Sequence, residues 1–254
     1  PFALMGNTKV FADGGDWDPS EAQEKIFIAT NYHSGVRISS DSWGLDGDGA
    51  YNVDAQNYDT WTRDSQPGVS GNQQVLYVFA AGNDGPGSKT IGAPGTGKNI
   101  FSIGASENYN MFGTDGCAVG NTGANNANDI IDFSSRGPCK DSRKKPDIVA
   151  PGTHVAGAAS FANGYTGEGV CDKYQPAGQT NYAASSGTSH WTPAVAGGAS
   201  LVYQYFINQG WTIPSPAMMK AYLMNSTRYL TGVDANDTLP SNNQIRTAYR
   251  TPVF

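Results

Sequence analysis

Ser186-Gly187-Thr188-Ser189-His190-Trp191-Thr192-Pro193-Ala194-Val195-Ala196-Gly197 is the stretch on which the fold is decided. A glycine, a hydroxyl residue able to cap, a serine and then small and apolar residues describe a loop entering a buried helix, expected from Ser189 to about Asn208. A helix start presents unpaired backbone N–H groups and the positive end of its dipole, so negative charge developing beside Ser189 would be stabilised there. By itself, Gly-Thr-Ser is equally a plain helix cap, and the rest of the chain has to separate the two readings.

At 254 residues the chain is long enough for one large core, and a single α/β domain over 1–254 is the expectation. Glycine is abundant (32) and charged residues make up only 15%, which points to many tight turns rather than disorder. A net charge of −6 argues against a nucleic-acid-binding surface. The one basic cluster, Arg143-Lys144-Lys145, lies beside Asp141 and Asp147 and reads as a solvated loop. No apolar run is long enough for a membrane span, so no membrane partner is expected. Cys117, Cys139 and Cys171 allow at most one internal disulfide, with the pairing open.

Outward from the serine, the longest apolar run is Val75-Leu76-Tyr77-Val78-Phe79-Ala80-Ala81, a strand to be buried on both faces. It ends in Gly82-Asn83-Asp84-Gly85-Pro86-Gly87, at the strand end where open α/β sheets place ligands. Further strands are expected at 9–12, 36–40, 100–104 and 148–150, with 130–133 extended. Helices are expected from Glu21 to about Tyr32, from Asn52 to about Arg63 and from Ala217 to Arg228, the last behind a Ser215-Pro216 start. Apolar residues on most sides of the 189–208 helix, with Gly197-Gly198 permitting a close neighbour, predict that it crosses the core.

Four stretches then have to be read jointly: Ala80-Ala81-Gly82-Asn83, Phe133-Ser134-Ser135-Arg136-Gly137-Pro138, Lys145-Pro146-Asp147-Ile148-Val149-Ala150-Pro151-Gly152-Thr153, and Gly187-Thr188-Ser189 through Pro193 to Gly197. In this order and spacing they resemble the subtilisin-like serine proteases, and most of all the oxidatively stable alkaline branch of the KP-43 type. The resemblance implies a three-layer α/β fold with a mainly parallel central sheet flanked by helices. It implies that Ser189 is the nucleophile that forms an acyl-enzyme and that Asn83 is a side-chain donor of the oxyanion hole. It implies that Ser42-Trp43-Gly44, Ala81-Gly82 and Thr188 line the site for a peptide or protein substrate. Trp43 reads equally as core. The chemistry requires no cofactor. A structural calcium is possible, with Asp46, Asp48 and Asp54 as oxygen ligands, although their spacing is not that of an EF-hand and a solvated acidic loop competes. The family context implies a secreted or extracytoplasmic protein.

The family's Asp-Ser/Thr-Gly and His-Gly-Thr-His motifs do not occur in the sequence. Gly152-Thr153-His154 imitates the second, but Pro151 stands where the histidine belongs, so His154 is not expected to be the base. His190 adjoins Ser189, where consecutive residues do not face one another. It replaces the family's usual oxidisable Met, and with Trp191 it is expected to shape the pocket, Trp191 straining the packing. His33 is expected to play a structural role near a helix end. The triad Asp and His are therefore expected on an N-terminal segment of the same domain outside this chain, whose absence would leave open sheet edges. The runner-up is a non-catalytic pseudoprotease that binds peptides in the cleft. An unrelated α/β hydrolase would need Gly-x-Ser-x-Gly after a strand, which Ser189 lacks. Asn225-Ser226-Thr227 and Asn236-Asp237-Thr238 are glycosylation sequons, and the Ser241-Asn242-Asn243-Gln244 terminus departs from the family's continuation.

Overall fold

Residues 75–81 are apolar throughout because the strand they form faces a helical layer on each side. The computed structural model describes residues 3–12, 17, 19–45 and 47–232, with the backbone of 250–252. A four-stranded sheet, all parallel and in the order β1-β2-β3-β4, comprises β1 (Ile38–Asp41), β2 (Leu76–Ala80), β3 (Phe101–Ser106) and β4 (Ile148–Pro151). Successive strand residues alternate faces. Leu76 and Val78 of β2 therefore join Phe101, Ile103 and Ile148 beneath α3 (Thr192–Asn208) and α4 (Pro216–Asn225), meeting Val195, Ala199, Met219 and Leu223. Tyr77 and Phe79 point the other way, onto Ile28 of α1 (Glu21–His33) and Tyr58 and Trp61 of α2 (Val53–Arg63). Each large side chain so buried contributes about 1.5–3 kcal/mol relative to exposure. β2, buried along its whole length, is the centre of both cores.

Helix starts follow their caps. Ser20 and Gln23 form a reciprocal capping box on α1, Asn52 accepts the Ala55 N–H at α2, and Ser215 accepts the Met218 N–H ahead of Pro216 at α4. Beyond the sheet, β5 (Val155–Ala158) and β6 (Tyr182–Ser185) form an antiparallel hairpin, and β7 (Thr227–Tyr229) pairs with β8 (Arg250–Pro252).

Several expectations are corrected. Residues 9–12 form no strand; Phe11 makes an isolated β-bridge to Trp17, and the two rings meet edge to face at 5.5 Å. Residues 130–133 contribute one bridge, Ile130 to Ser106. Ser189 lies in a single 3₁₀ turn (188–190) ahead of α3, and α4 stops at Asn225 as the chain turns into β7. The α3 helix is apolar all round yet only one side is covered, since Leu201 (61%), Tyr205 (45%) and Ile207 (46%) are exposed. Nothing lies within 4 Å of a Cβ built on Gly197, so no close neighbour requires that glycine.

The basic cluster is not a solvated loop throughout. The Lys145 side chain is 3% exposed and its ammonium bonds Asp147 Oδ2 at 2.7 Å. Cys117 pairs with Cys171, and Cys139 is a buried free thiol. Burial raises the Cys139 thiol above its usual range. The Asn236 sequon and the Ser241–Gln244 stretch lie outside the described residues, as does Asp46.

Candidate active site

The cleft is built at the C-terminal ends of β1, β2 and β4. Past β2, Ala81 donates its N–H to Ile103 O at 2.9 Å, and Gly82 turns the chain at φ 108°, a conformation that favours glycine. A Cβ on Gly82 would lie 2.7 Å from Ser135 Oγ. The 133–138 motif is the buttress for this turn: Ser135 N–H bonds Gly82 O at 3.0 Å and Ser135 Oγ accepts the Asp84 N–H at 3.1 Å. Asn83 is thereby delivered beside the 188–190 turn.

Its orientation is fixed by Thr188. Asn83 Oδ1 accepts the Thr188 backbone N–H at 3.0 Å and the Thr188 hydroxyl at 2.9 Å. Two donors on one oxygen settle the amide's orientation and leave Nδ2 with no hydrogen-bond partner among the described residues. Thr188 is therefore not the helix cap expected of it. Its hydroxyl serves Asn83, and α3 begins without a side-chain cap. Ser189 itself is tied to the end of β1. Ser42 Oγ donates to Ser189 O at 2.7 Å, and Ser189 Oγ reaches Ser42 O at 3.5 Å. Gly187 completes the turn at φ 149° and donates its N–H to Gly152 O at 2.8 Å, past the end of β4.

A cavity of about 240 Å³ opens between these loops, with Ser42, Trp43, Gly44, Ala81, Gly82 and Asn83 among its walls and Thr188 and Ser189 at one side. The expected nucleophile, the oxyanion donor and the six expected substrate-binding residues thus lie on one cavity. Leu45, Ala80, Asp84 and Gly92, which sequence reasoning did not single out, complete it. Gly44 and Gly92 are close-approach positions. A Cβ on Gly92 would sit 2.1 Å from Leu45 O, and one on Gly44 3.1 Å from Ala93 O. Trp43 is both wall and core, with its ring 5.1 Å from Phe79 and 4.2 Å from Trp17.

No described histidine lines the cavity, although the His190 ring lies beside Gly187 in the turn. His190 and Trp191 do not line the cavity, against expectation. Trp191 is accommodated without side-chain competition because Gly152 faces it, a Cβ there lying 3.2 Å from its ring. Burial holds the His190 imidazole below its usual range. His154 is fully buried, with Nδ1 2.6 Å from Asn110 O and Nε2 2.9 Å from Val119 O, both committed away from Ser189. His33 ends α1 in the last turn, where a basic side chain faces the dipole. Among the described residues no imidazole is hydrogen-bonded to Ser189 Oγ.

Two of the three acidic loop residues have partners among the described residues. Asp48 pairs with Lys140 at 2.6 Å, and Asp54 accepts from Asn52 Nδ2 at 3.1 Å. The one ligand-type cluster among the described residues is Asp115, Cys117 and Cys171, whose sulfurs are joined to each other.

A parallel sheet between two helical layers, with a serine turn and an asparagine at the strand ends, is a subtilisin-like α/β architecture. The subtilase family model matches residues 1–245, and the chain belongs to that family. Serine protease AprX of Bacillus subtilis (strain 168) is 35% identical over 132 residues, covering 51% of this chain and 26% of AprX, so the chain spans about a quarter of that relative. Among solved structures, the prenylagaramide maturation protease PagA superposes with a TM-score of 0.60 at 21% identity, covering 95% of this chain and 68% of that one. Sphericase gives 0.54 at 22% identity, covering 85% and 58%. These likenesses establish the subtilisin-like fold. No described helix is long and apolar enough to cross a membrane.

Proposed function

We propose that the chain is the nucleophile-bearing part of a single subtilase catalytic domain, a serine endopeptidase. In this reading Ser189 attacks the peptide carbonyl to form an acyl-enzyme, and Asn83 Nδ2 with the Ser189 N–H receives the developing oxyanion. The observation that carries it is the pinning of Asn83 Oδ1 by Thr188. A pre-aimed amide costs no reorganisation at the moment charge appears, and a helix cap has no use for one. Subtilisin itself is the source of the usual magnitude for losing this donor, about 10²–10³ in kcat. The general base and its carboxylate belong to a portion of the domain outside these residues. The substrate is an extended peptide lying along Ser42-Trp43-Gly44, with a side chain in the adjacent cavity.

The Cys117–Cys171 disulfide favours an oxidising, extracytoplasmic setting. His190 in place of an oxidisable Met favours the KP-43-type branch. A fluorophosphonate probe should label Ser189 in the protein and leave Ser189→Ala unlabelled; equal labelling of both defeats the assignment. A second reading, a peptide-binding pseudoprotease, is favoured by the absence of an imidazole at Ser189 Oγ among the described residues. It predicts peptide binding by calorimetry with no labelling of Ser189 in the full-length protein.

A further inference from the structure

Next to the serine turn, and outside the cavity lining, lies a buried polar cluster that the proposed chemistry does not use. Asp115, 4% exposed, accepts the N–H groups of Cys117 and Val119 on Oδ1 at 3.0 and 2.9 Å. Its Oδ2 accepts the Ser186 hydroxyl at 2.6 Å. Ser186 Oγ in turn accepts the His154 backbone N–H at 2.9 Å, where His154 sits at φ 50°. The His154 ring stacks on Phe112 at 4.1 Å with Nε2 3.9 Å from Asp115 Oδ2. The Ser186 N–H points at Cys171 Sγ at 3.2 Å, so the disulfide closes the cluster on its outer side. Ser186 is therefore held from three directions, three residues ahead of Ser189.

The chemistry of this arrangement is orientation. A serine hydroxyl that donates to a buried carboxylate and accepts a backbone N–H has its rotor fixed, and a charge-assisted bond is about twice as strong as a neutral one. Beyond Ser186 the chain passes through Gly187 at φ 149°, a residue without side-chain restraint, directly into Thr188 and Ser189. Gly187 is anchored through its backbone, by its N–H to Gly152 O at 2.8 Å and by the His190 N–H to its own O at 3.2 Å, and slack at Ser186 is passed to the Thr188–Asn83 contact through those bonds.

We propose that Asp115, acting through the Ser186 hydroxyl, is a positioning residue for the 187–189 turn, with His154 and the Cys117–Cys171 bridge as the frame that holds the carboxylate in place. The inference rests on the reading of Ser189 as nucleophile, and its test separates the two. Amide hydrogen exchange in the ¹⁵N-labelled full-length protein reports the Thr188 N–H, and fluorophosphonate labelling reports Ser189.

Ser186→Ala should speed exchange at Thr188 by about tenfold and slow labelling by a similar factor, the effect of one charge-assisted hydrogen bond. Ser186→Thr, which keeps the hydroxyl, should restore both. Asp115→Asn, which keeps the volume and an acceptor for Cys117 and Val119, should reproduce the Ser186→Ala effect and covers the case in which the alanine variant does not fold. Lys220→Met, at the opposite end of the sheet, should lower thermal stability and leave exchange and labelling unchanged. Native-like exchange at Thr188 in both Ser186→Ala and Asp115→Asn, or equal effects from Lys220→Met, overturns the proposal. Absence of labelling in the unaltered protein sinks the nucleophile reading, while the exchange data still decide the positioning role.

Discussion

Replacing Asp147 by Asn keeps the shape of a buried carboxylate and removes its charge. Asp147 Oδ2 receives the Lys145 ammonium at 2.7 Å and the Ser102 N–H at 2.9 Å, and Oδ1 receives Lys220 at 3.0 Å. Burial depresses Lys145 to about 8 even with the carboxylate beside it. In Asp147→Asn the amide oxygen that accepts the Ser102 N–H still faces the Lys145 ammonium, but without a charge to offset it or the like charge of Lys220. Removing one partner of a buried pair costs about 3–5 kcal/mol. At about 2–4 °C per kcal/mol for a domain of this size, Tm should fall by roughly 10 °C.

The pH dependence follows from the proton count. With a folded-state value near 8 against 10.5, the native protein binds fewer protons than the unfolded chain between those limits, so the Lys145 contribution to stability rises with pH across that window. Without Asp147, whose charge raises the Lys145 value, the window extends lower. The deficit of Asp147→Asn should therefore shrink between pH 7 and about pH 9. Urea unfolding at the two pH values measures it. A deficit below about 1 kcal/mol at pH 7, or one that does not shrink, refutes the account of a buried, carboxylate-dependent ammonium.

Three further outcomes are expected. Burial raises Asp41 from 3.8 to about 7, so its contribution to stability is full below pH 3.8 and is lost as pH rises through 7; Asp41→Asn should remove that decline, about 4 kcal/mol at its upper limit, from the urea midpoints. Replacing Cys117 and Cys171 by serine opens a loop of separation 54 and should cost about 4 kcal/mol of unfolding free energy on the chain-entropy account. Gly187→Ala introduces a side chain at φ 149° and should cost about 1–3 kcal/mol while slowing fluorophosphonate labelling; unchanged labelling would mean that the turn relaxes freely.

What could be read from sequence tracks how local its cause is. The β2 strand is visible because both its faces are apolar, β3 because Phe101 and Ile103 mark one apolar face, and α1, α2 and α4 because Ser20, Asn52 and Ser215 cap within three residues of themselves. The β5–β6 hairpin is not, since Val155–Ala158 carries small residues and exposes most of them, which leaves no alternation to detect. Lys145 reads as solvated beside Arg143 and Lys144, whereas its pair with Asp147 is buried by long-range packing, with Lys220 of α4 reaching the same carboxylate. At the site, residue types were legible and contacts were not. The bond that turns Asn83 spans 105 residues, and Asp115 lay in a glycine- and asparagine-rich excursion with nothing to mark its carboxylate as the partner of Ser186.

The role of Thr188 shows how the cleft diverts ordinary helix chemistry. A threonine before a helix normally gives its hydroxyl to the first turn, worth about 1 kcal/mol to the fold. Here α3 has no such cap and the hydroxyl lies on Asn83 Oδ1 instead. The helix forgoes that stabilisation, and Pro193 at its first turn, with Val195 and Ala199 in the core, offsets the loss by packing. The 187–189 turn is then located by three contacts, Ser189 to Ser42, Thr188 to Asn83 and Gly187 to Gly152, at the ends of β1, β2 and β4. Thr188→Val, which keeps the volume and the backbone N–H, discriminates between the two uses of the hydroxyl. If it caps, labelling of Ser189 holds; if it orients Asn83, labelling of Ser189 slows, and the stability change of about 1 kcal/mol is the same in either case.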